Sequence, residues 1–409
     1  MTLRVSRLGN GFTIVSRTLP DVETAAVGLN ADVGARHESA AENGLAHLFE
    51  HMVFKGTATR SARAIAEAIE DVGGSLNAWT SRDATVFHAR VLGADMPLAV
   101  TLIADLVRGA RFDAGDLERE REVVLSEIGE ARDTPDDLVF DHVQMTAFPG
   151  QALGRPILGT EESLAGLDAA ALRGWRDRQY RGGGLVLSAA GRVDHDALVA
   201  QAEKLFDDLP AGGPVAPEAA RWAGGWQGDD NRTEQVHIAL GHEAPCTLAP
   251  DYFAAQIFTV ALGGGMSSRL FQEVREERGL AYSVSASHGG WADSGMLSLY
   301  LATQPRDAGA ALDLTRKVAS ATVTGLEPVE VERARAQLKA GLLMGLEGCA
   351  GQADWLGRVW LTHGRIVPVA EVVAALDAVT VDAARAAGAA MLASPAALAA
   401  VGPRAGKLQ

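Results

Sequence analysis

The strongest constraint on this chain's fold is that much of it is written twice. Glu330-Val331-Glu332-Arg333-Ala334-Arg335 echoes Asp116-Leu117-Glu118-Arg119-Glu120-Arg121, and residues 397–402 echo residues 185–191. A repeat of about half the chain is too long for a solenoid and suits two homologous domains. The 409-residue length agrees, being more than one hydrophobic core ordinarily organises. In the first half, Leu8-Gly9-Asn10-Gly11 carries an Asn-Gly hairpin signal between two short strands. Val27, Leu29, Ala31 and Val33 alternate with Gly28, Asn30 and Asp32, which predicts a half-buried strand. Helices are expected at residues 62–72, 96–108, 114–132 and 169–179, and strands around 76–80, 85–91 and 184–191. Residues 211–230, rich in Gly, Pro and Ala, break the periodicity and read as a linker. Beyond it the order restarts, with an alternating strand at 236–240, helices at 251–262 and 267–278, and strands at 281–287 and 297–301. The expected division is therefore 1–210, a linker at 211–230, and 231–409. Antiparallel-type strands mixed with blocks of helices make the class α+β.

The chemistry concentrates in His47-Leu48-Phe49-Glu50-His51. On a helix, His47 and His51 are four residues apart and share a face, with Glu50 near enough to reach a ligand held between them. Two imidazoles suit a divalent metal such as zinc, and an adjacent carboxylate can take a proton from a metal-bound water. H-x-x-E-H is a metalloprotease signature, although two surface histidines and a carboxylate can also fall in this order by chance. The duplication bears on the choice. Laid on residues 330–341, residues 116–127 set Ala334 against Glu120 and Gly341 against Glu127, and the helix expected at 251–262 contains no histidine. The second half repeats the architecture and lacks the candidate ligands. A catalytic zinc takes a third protein ligand. Glu120 and Glu127, two helical turns apart, point the same way, and charge alone does not choose between them.

The formal net charge of -15 argues against nucleic acid as a partner. Two cysteines, Cys246 and Cys349, form no disulfide framework and lie far from the motif, so a structural zinc closed by thiolates is disfavoured. The reading is a reducing bacterial cytoplasm, with no signal or transit peptide evident and no apolar run of membrane-spanning length.

His47–His51, the continuation Met52-Val53-Phe54-Lys55-Gly56-Thr57 and the downstream Glu127 resemble the inverted-zincin peptidases. That family includes pitrilysin, insulin-degrading enzyme and the β subunit of mitochondrial processing peptidase. Ser75-Leu76-Asn77-Ala78-Trp79-Thr80 and Gly263-Gly264-Gly265-Met266-Ser267-Ser268-Arg269-Leu270 extend the similarity over essentially the whole chain. The resemblance implies two homologous domains, each a mainly antiparallel sheet packed with helices, as in the short-chain branch whose members pair into a closed clam-shell chamber. It implies one Zn2+ per chain on His47, His51 and Glu127, with Glu50 as general base and Glu120 supporting a ligand histidine. It further implies an extended peptide paired at Asn77 and Ala78. Arg275-Glu276-Glu277-Arg278-Gly279-Leu280-Ala281-Tyr282 resembles the family's Arg/Tyr pair. Arg275 would hold substrate carbonyls and Tyr282 the developing oxyanion, with Arg269 and Arg278 as competitors for the basic role.

The expected function is a zinc endopeptidase for short or unfolded peptides, working as a homodimer, with a heterodimer with a related chain as the other arrangement. The stretch Leu262-Gly263-Gly264-Gly265-Met266 is short beside the long glycine-rich loop of the processing peptidase α subunits. That weakens a dedicated presequence role. A leader peptidase is the rival within enzymes; a non-catalytic structural or binding subunit is the rival from another class. The latter typically loses its metal ligands, which are present here.

Overall fold

The chain folds into two sheets, each packed with helices, and the computed structural model describes residues 2–408. The first sheet contains β1 (Thr2–Arg7), β2 (Thr13–Thr18), β3 (Thr24–Ala31), β4 (Ser75–Thr80), β5 (Thr85–Leu92) and β6 (Leu185–Gly191). Their spatial order is β1-β2-β6-β3-β5-β4, antiparallel throughout except for the parallel β2–β6 pair. The second contains β7 (Gly225–Asp229), β8 (Val236–Ala244), β9 (Ser283–Gly290), β10 (Gly295–Thr303) and β11 (Ala397–Val401). Its order is β7-β11-β8-β10-β9, with only β7–β11 parallel. Without β1, the first order reappears strand for strand in the second. The sequence echoes thus mark a repeated topology.

Local chemistry explains several elements. Between β1 and β2 the Leu8 N–H donates to Phe12 O at 2.8 Å, and Gly11 closes the turn at φ +96°, a conformation glycine adopts freely. Ser61 caps the Ala62–Glu70 helix by accepting from the Ala64 N–H. Arginines fasten equivalent helix ends in the two halves. Arg121 donates to Leu164 O and Leu167 O at 3.1 and 2.8 Å, and Arg335 donates to Leu376 O and Val379 O at 3.0 and 2.7 Å. Each thereby satisfies carbonyls left open where a helix stops.

Several features lie beyond what local sequence patterns anticipate. Residues 225–229, inside the stretch expected as a linker, form β7 and pair with β11. The compact units also draw on both halves of the chain. One comprises the chain up to Ile128, Pro156–Glu218 and Leu343–Ile366; the other comprises Gly129–Arg155, Ala219–Leu342 and the chain from Val367 onward. The exchanged segments carry helices. In the first unit the Cys349–His363 helix covers one face of β2, β3 and β6, where Val15, Val186 and Leu356 form one buried cluster and Ala26, Ala190 and Ala353 another. In the second, the Pro135–Ala147 helix lies on β8 and β11, burying Val139 and Val143 with Ala239 and Ala399.

This cover explains why β3 is buried from Ala25 to Ala31 and is not the half-buried strand its alternation predicts. The small and polar positions face a helix. Asn30 is 1% exposed, and its Nδ2 donates to Gly28 O, Val186 O and Ser188 Oγ. Gly357 of the covering helix lies directly over it, so that a Cβ there would meet the Asn30 amide at 2.3 Å.

Gly357→Ala tests this packing. On an exposed helix the change stabilises by about 0.5–1 kcal/mol. Here the overlap with a fixed amide should reverse the sign and cost about 1–3 kcal/mol. Thermal unfolding followed by far-ultraviolet circular dichroism should show a lower Tm.

Candidate metal centre

The Leu45–Val53 helix carries the motif, and its burial pattern fixes which side chains remain available. Leu45, Ala46, Leu48, Phe49, Met52 and Val53 are buried, leaving His47, Glu50 and His51 on the remaining face. The helix is entered through Gly44 at φ +91°, and a Cβ there would meet Leu158 O at 2.8 Å. Glu38, 3% exposed, caps it: Gly44 N–H and Ala46 N–H donate to its two oxygens at 2.9 and 2.7 Å. A carboxylate at a helix N-terminus satisfies open N–H groups and complements the helix dipole. Sequence reasoning missed Glu38 because it lies several residues ahead of the usual capping position.

The Ala114–Asp133 helix brings the acidic partners. Glu127 Oε2 lies 3.8 Å from His47 Nε2 and 3.7 Å from His51 Nε2. Among the described residues, His47, His51 and Glu127 form the one group of three His, Cys, Asp or Glu side chains close enough to share a metal ion. Ligand atoms around a tetrahedral zinc lie about 3.4 Å apart, so these spacings are within a few tenths of an ångström of a ligand set. Glu127 Oε2 is buried and accepts no hydrogen bond, leaving a polar atom that a cation would satisfy. Burial, and then the neighbouring His51, push the pKa of His47 down to about 4, favouring the neutral imidazole that a metal requires. The residues fit the ion.

Glu120 and Glu127, indistinguishable by charge, occupy different positions. Glu120, 7% exposed, places Oε2 at 3.2 Å from His51 Nδ1, on the far side of the ring from Glu127. Its other oxygen is 2.7 Å from Lys55 Nζ. With Nε2 turned toward the cluster, Nδ1 carries the proton and donates it to Glu120, which fixes the tautomer and ring orientation. Lys55 lies within the quoted motif, but no local pattern announces its role, because its partner is distant in the chain.

Glu50 stands beside the cluster, its Oε2 accepting from the Thr80 hydroxyl at 2.6 Å. Burial pushes its carboxyl pKa up, while the Thr80 hydrogen bond and the His51 charge pull it down; the net direction is up. Thr80 closes β4, one of the two edge strands of the first sheet. On that strand Asn77 is exposed and Ala78 buried, and the Ala78 N–H is met by Asn77 Oδ1 at 2.9 Å. The turn bond from Ser81 N–H to Ala84 O sets the alternation of the hairpin, and it directs the main-chain groups of Ala78 away from β5.

In the second unit Ala334 is buried where Glu120 stands in the first, as the sequence alignment anticipates. The Arg275 guanidinium lies over the Phe271 ring at 4.6 Å and the Tyr282 ring at 5.5 Å, and Tyr282 is 72% exposed. Of the competing arginines, Arg269 is committed to Glu330 through bonds of 2.7 and 2.6 Å. Cys246 and Cys349 are both free. Among the described residues no helix is long and apolar enough to cross a membrane.

Two imidazoles and a carboxylate converging beside a second carboxylate are the parts of a metallohydrolase centre. Comparisons with known proteins make that specific. The family model described as insulinase (peptidase family M16) matches residues 13–161, and that of the peptidase M16 inactive domain matches residues 166–338. An uncharacterized zinc protease of Streptomyces coelicolor is 38% identical, over 98% of this chain and 90% of that protein. One from Mycobacterium tuberculosis is 39% identical, over 93% and 88%. The mitochondrial-processing peptidase subunit beta of Lentinula edodes is 34% identical, over 92% and 85%. The crystal structure of a peptidase M16 inactive domain from Pseudomonas fluorescens shares the fold, with a TM-score of 0.90 over 98% of both chains at 22% identity. The chain belongs to the M16 peptidase family and is a zinc metallopeptidase.

Glu120→Gln keeps the shape of the side chain and removes the charge facing His51. Zinc affinity, measured by competition with a chromophoric chelator, should fall about 10–100-fold.

Proposed function

We propose that the chain is an endopeptidase for short or unfolded peptides, with one zinc ion held by His47, His51 and Glu127. The observation that carries this reading is a half-buried ligand cluster set beside a sheet edge that can receive an extended chain. When bound there, zinc supplies a Lewis acid for the scissile carbonyl and lowers the pKa of water. Glu50, the carboxylate adjacent to the ligands, takes the proton from the attacking water and passes it to the leaving amine. Its upward-shifted pKa suits a group that must both accept and release a proton. Glu120 holds the His51 ring, and Lys55 holds Glu120.

The outward main chain of β4 at Ala78 pairs with the substrate as an added strand, while Asn77 moves off the Ala78 N–H to admit it. Main-chain pairing tolerates many sequences but requires an extended substrate, so folded proteins should be poor substrates. Arg275 and Tyr282 are assigned to substrate binding, the arginine to main-chain carbonyls and the tyrosine hydroxyl to the developing oxyanion. The stacked, exposed ring of Tyr282 supports that assignment. The working form in this reading is a homodimer enclosing a chamber. The likeness to a processing-peptidase β subunit favours a second reading, in which a defined leader peptide is cleaved once, with a related chain as partner.

Two substitutions test the first reading. Glu50→Gln should keep its zinc and lose about 10²–10⁴-fold in turnover, measured by metal analysis beside cleavage of a mixed peptide library. Equal cleavage by both proteins would sink the assignment. In the wild type, scattered cuts across the library support the general peptidase, and one cut in a leader sequence supports the processing role. Ala78→Pro removes the N–H at an edge position where proline is tolerated. Its zinc content should be unchanged while KM for extended peptides rises about tenfold, the loss of one main-chain hydrogen bond.

A further inference from the structure

A glutamate that shuttles a proton must be held in place, because three rotatable bonds separate its carboxylate from the backbone. Glu50 has little to hold it within its own helix. Among the described residues, Thr80 is the one hydrogen-bond donor to its carboxylate, at 2.6 Å to Oε2. That length is typical of a hydroxyl donating to a charged oxygen. Thr80 is itself well fixed. Its β-branched side chain restricts χ1, and it stands opposite Thr85 in the last pair of the β4–β5 register. The two hydroxyl oxygens are 3.4 Å apart, and Thr85, fully buried, donates to Val33 O at 2.9 Å. The turn beyond is closed by Ser81, whose N–H reaches Ala84 O at 2.8 Å. The donor therefore belongs to a braced hairpin.

We propose that Thr80 is a positioning residue for peptide hydrolysis. Its hydroxyl occupies Glu50 Oε2, fixes the carboxylate, and leaves Oε1 as the oxygen that accepts the proton. The inference rests on the reading of Glu50 as the base and adds a second element to it. Thr80 lies on the same free-edge strand as Ala78, so one strand sets both where the extended peptide lies and where the base stands. A substrate paired with β4 is then in register with the base through a single hydroxyl.

The test compares Thr80→Val, which keeps the shape and loses the hydroxyl, with Thr80→Ser, which keeps the hydroxyl. Glu50→Gln serves as the reference, and each protein is the full chain loaded with zinc. The measurements are kcat and KM on an internally quenched peptide, zinc per chain, and Tm. Thr80→Val should lose about 10–100-fold in kcat, as expected for a misplaced catalytic group, with KM and zinc content within about twofold of wild type. Thr80→Ser should recover most of kcat. If Thr80→Val folds poorly, Thr80→Ala takes its place against Thr80→Ser. Wild-type kcat without the hydroxyl overturns the proposal. So does a Thr80→Ser protein as slow as Thr80→Val, or a loss of zinc that accounts for the loss of rate. Wild-type turnover by Glu50→Gln would instead remove the reading of Glu50 on which the proposal stands.

Discussion

The centre depends on holding a nine-residue helix still. A helix of that length does not hold its own shape in water, because few intrahelical bonds offset the cost of nucleation. Leu45–Val53 is fixed from outside. Six of its side chains are packed into the core, and the buried Glu38 carboxylate takes up N–H groups at its start. The two histidines and Glu50 inherit their directions from that packing. A buried carboxylate at a helix N-terminus thus does for the metal centre what no residue of the motif can do alone.

The repeated half separates what the fold needs from what the chemistry needs. The strand order recurs, and so does the arginine that fastens a helix end, as Arg121 in one half and Arg335 in the other. At the position of Glu120 the second half has a buried alanine, and at that of Glu127 a glycine. A structural demand on those carboxylates would have been felt in both halves. Their confinement to one half matches that of the His47–His51 motif.

Local patterns made much of this visible in the sequence. The Asn-Gly hairpin, the motif helix and the long helices are set by neighbours within a few residues, and they fall close to where the sequence puts them. What escaped was non-local. The five residues of β7, Gly-Trp-Gln-Gly-Asp, have no alternation of their own and become a strand only by pairing with β11. β3 reads as half-buried because nothing near it announces that a helix some three hundred residues further on will cover Gly28 and Asn30. Within the site, His47, Glu50 and His51 were legible from spacing, and the choice of Glu127 over Glu120 came from resemblance. In the structure one glutamate faces the Nε2 atoms and the other the outer nitrogen of His51. The roles of Glu38, Lys55 and Thr80 were not legible, since each depends on a partner brought near only by folding.

The exchanged helices also set an order on how the molecule is made. A ribosome delivers the strands of the first sheet early, but the helix that shields Val15, Ala26, Val186 and Ala190 belongs to residues 349–363. Until those residues are made, that apolar face has no cover from its own chain. The first unit is therefore finished only once residues 349–363 are made, and a chain that stops short of them leaves that apolar face without its covering helix. An apolar face left open in this way during synthesis is the kind of surface on which nascent chains aggregate.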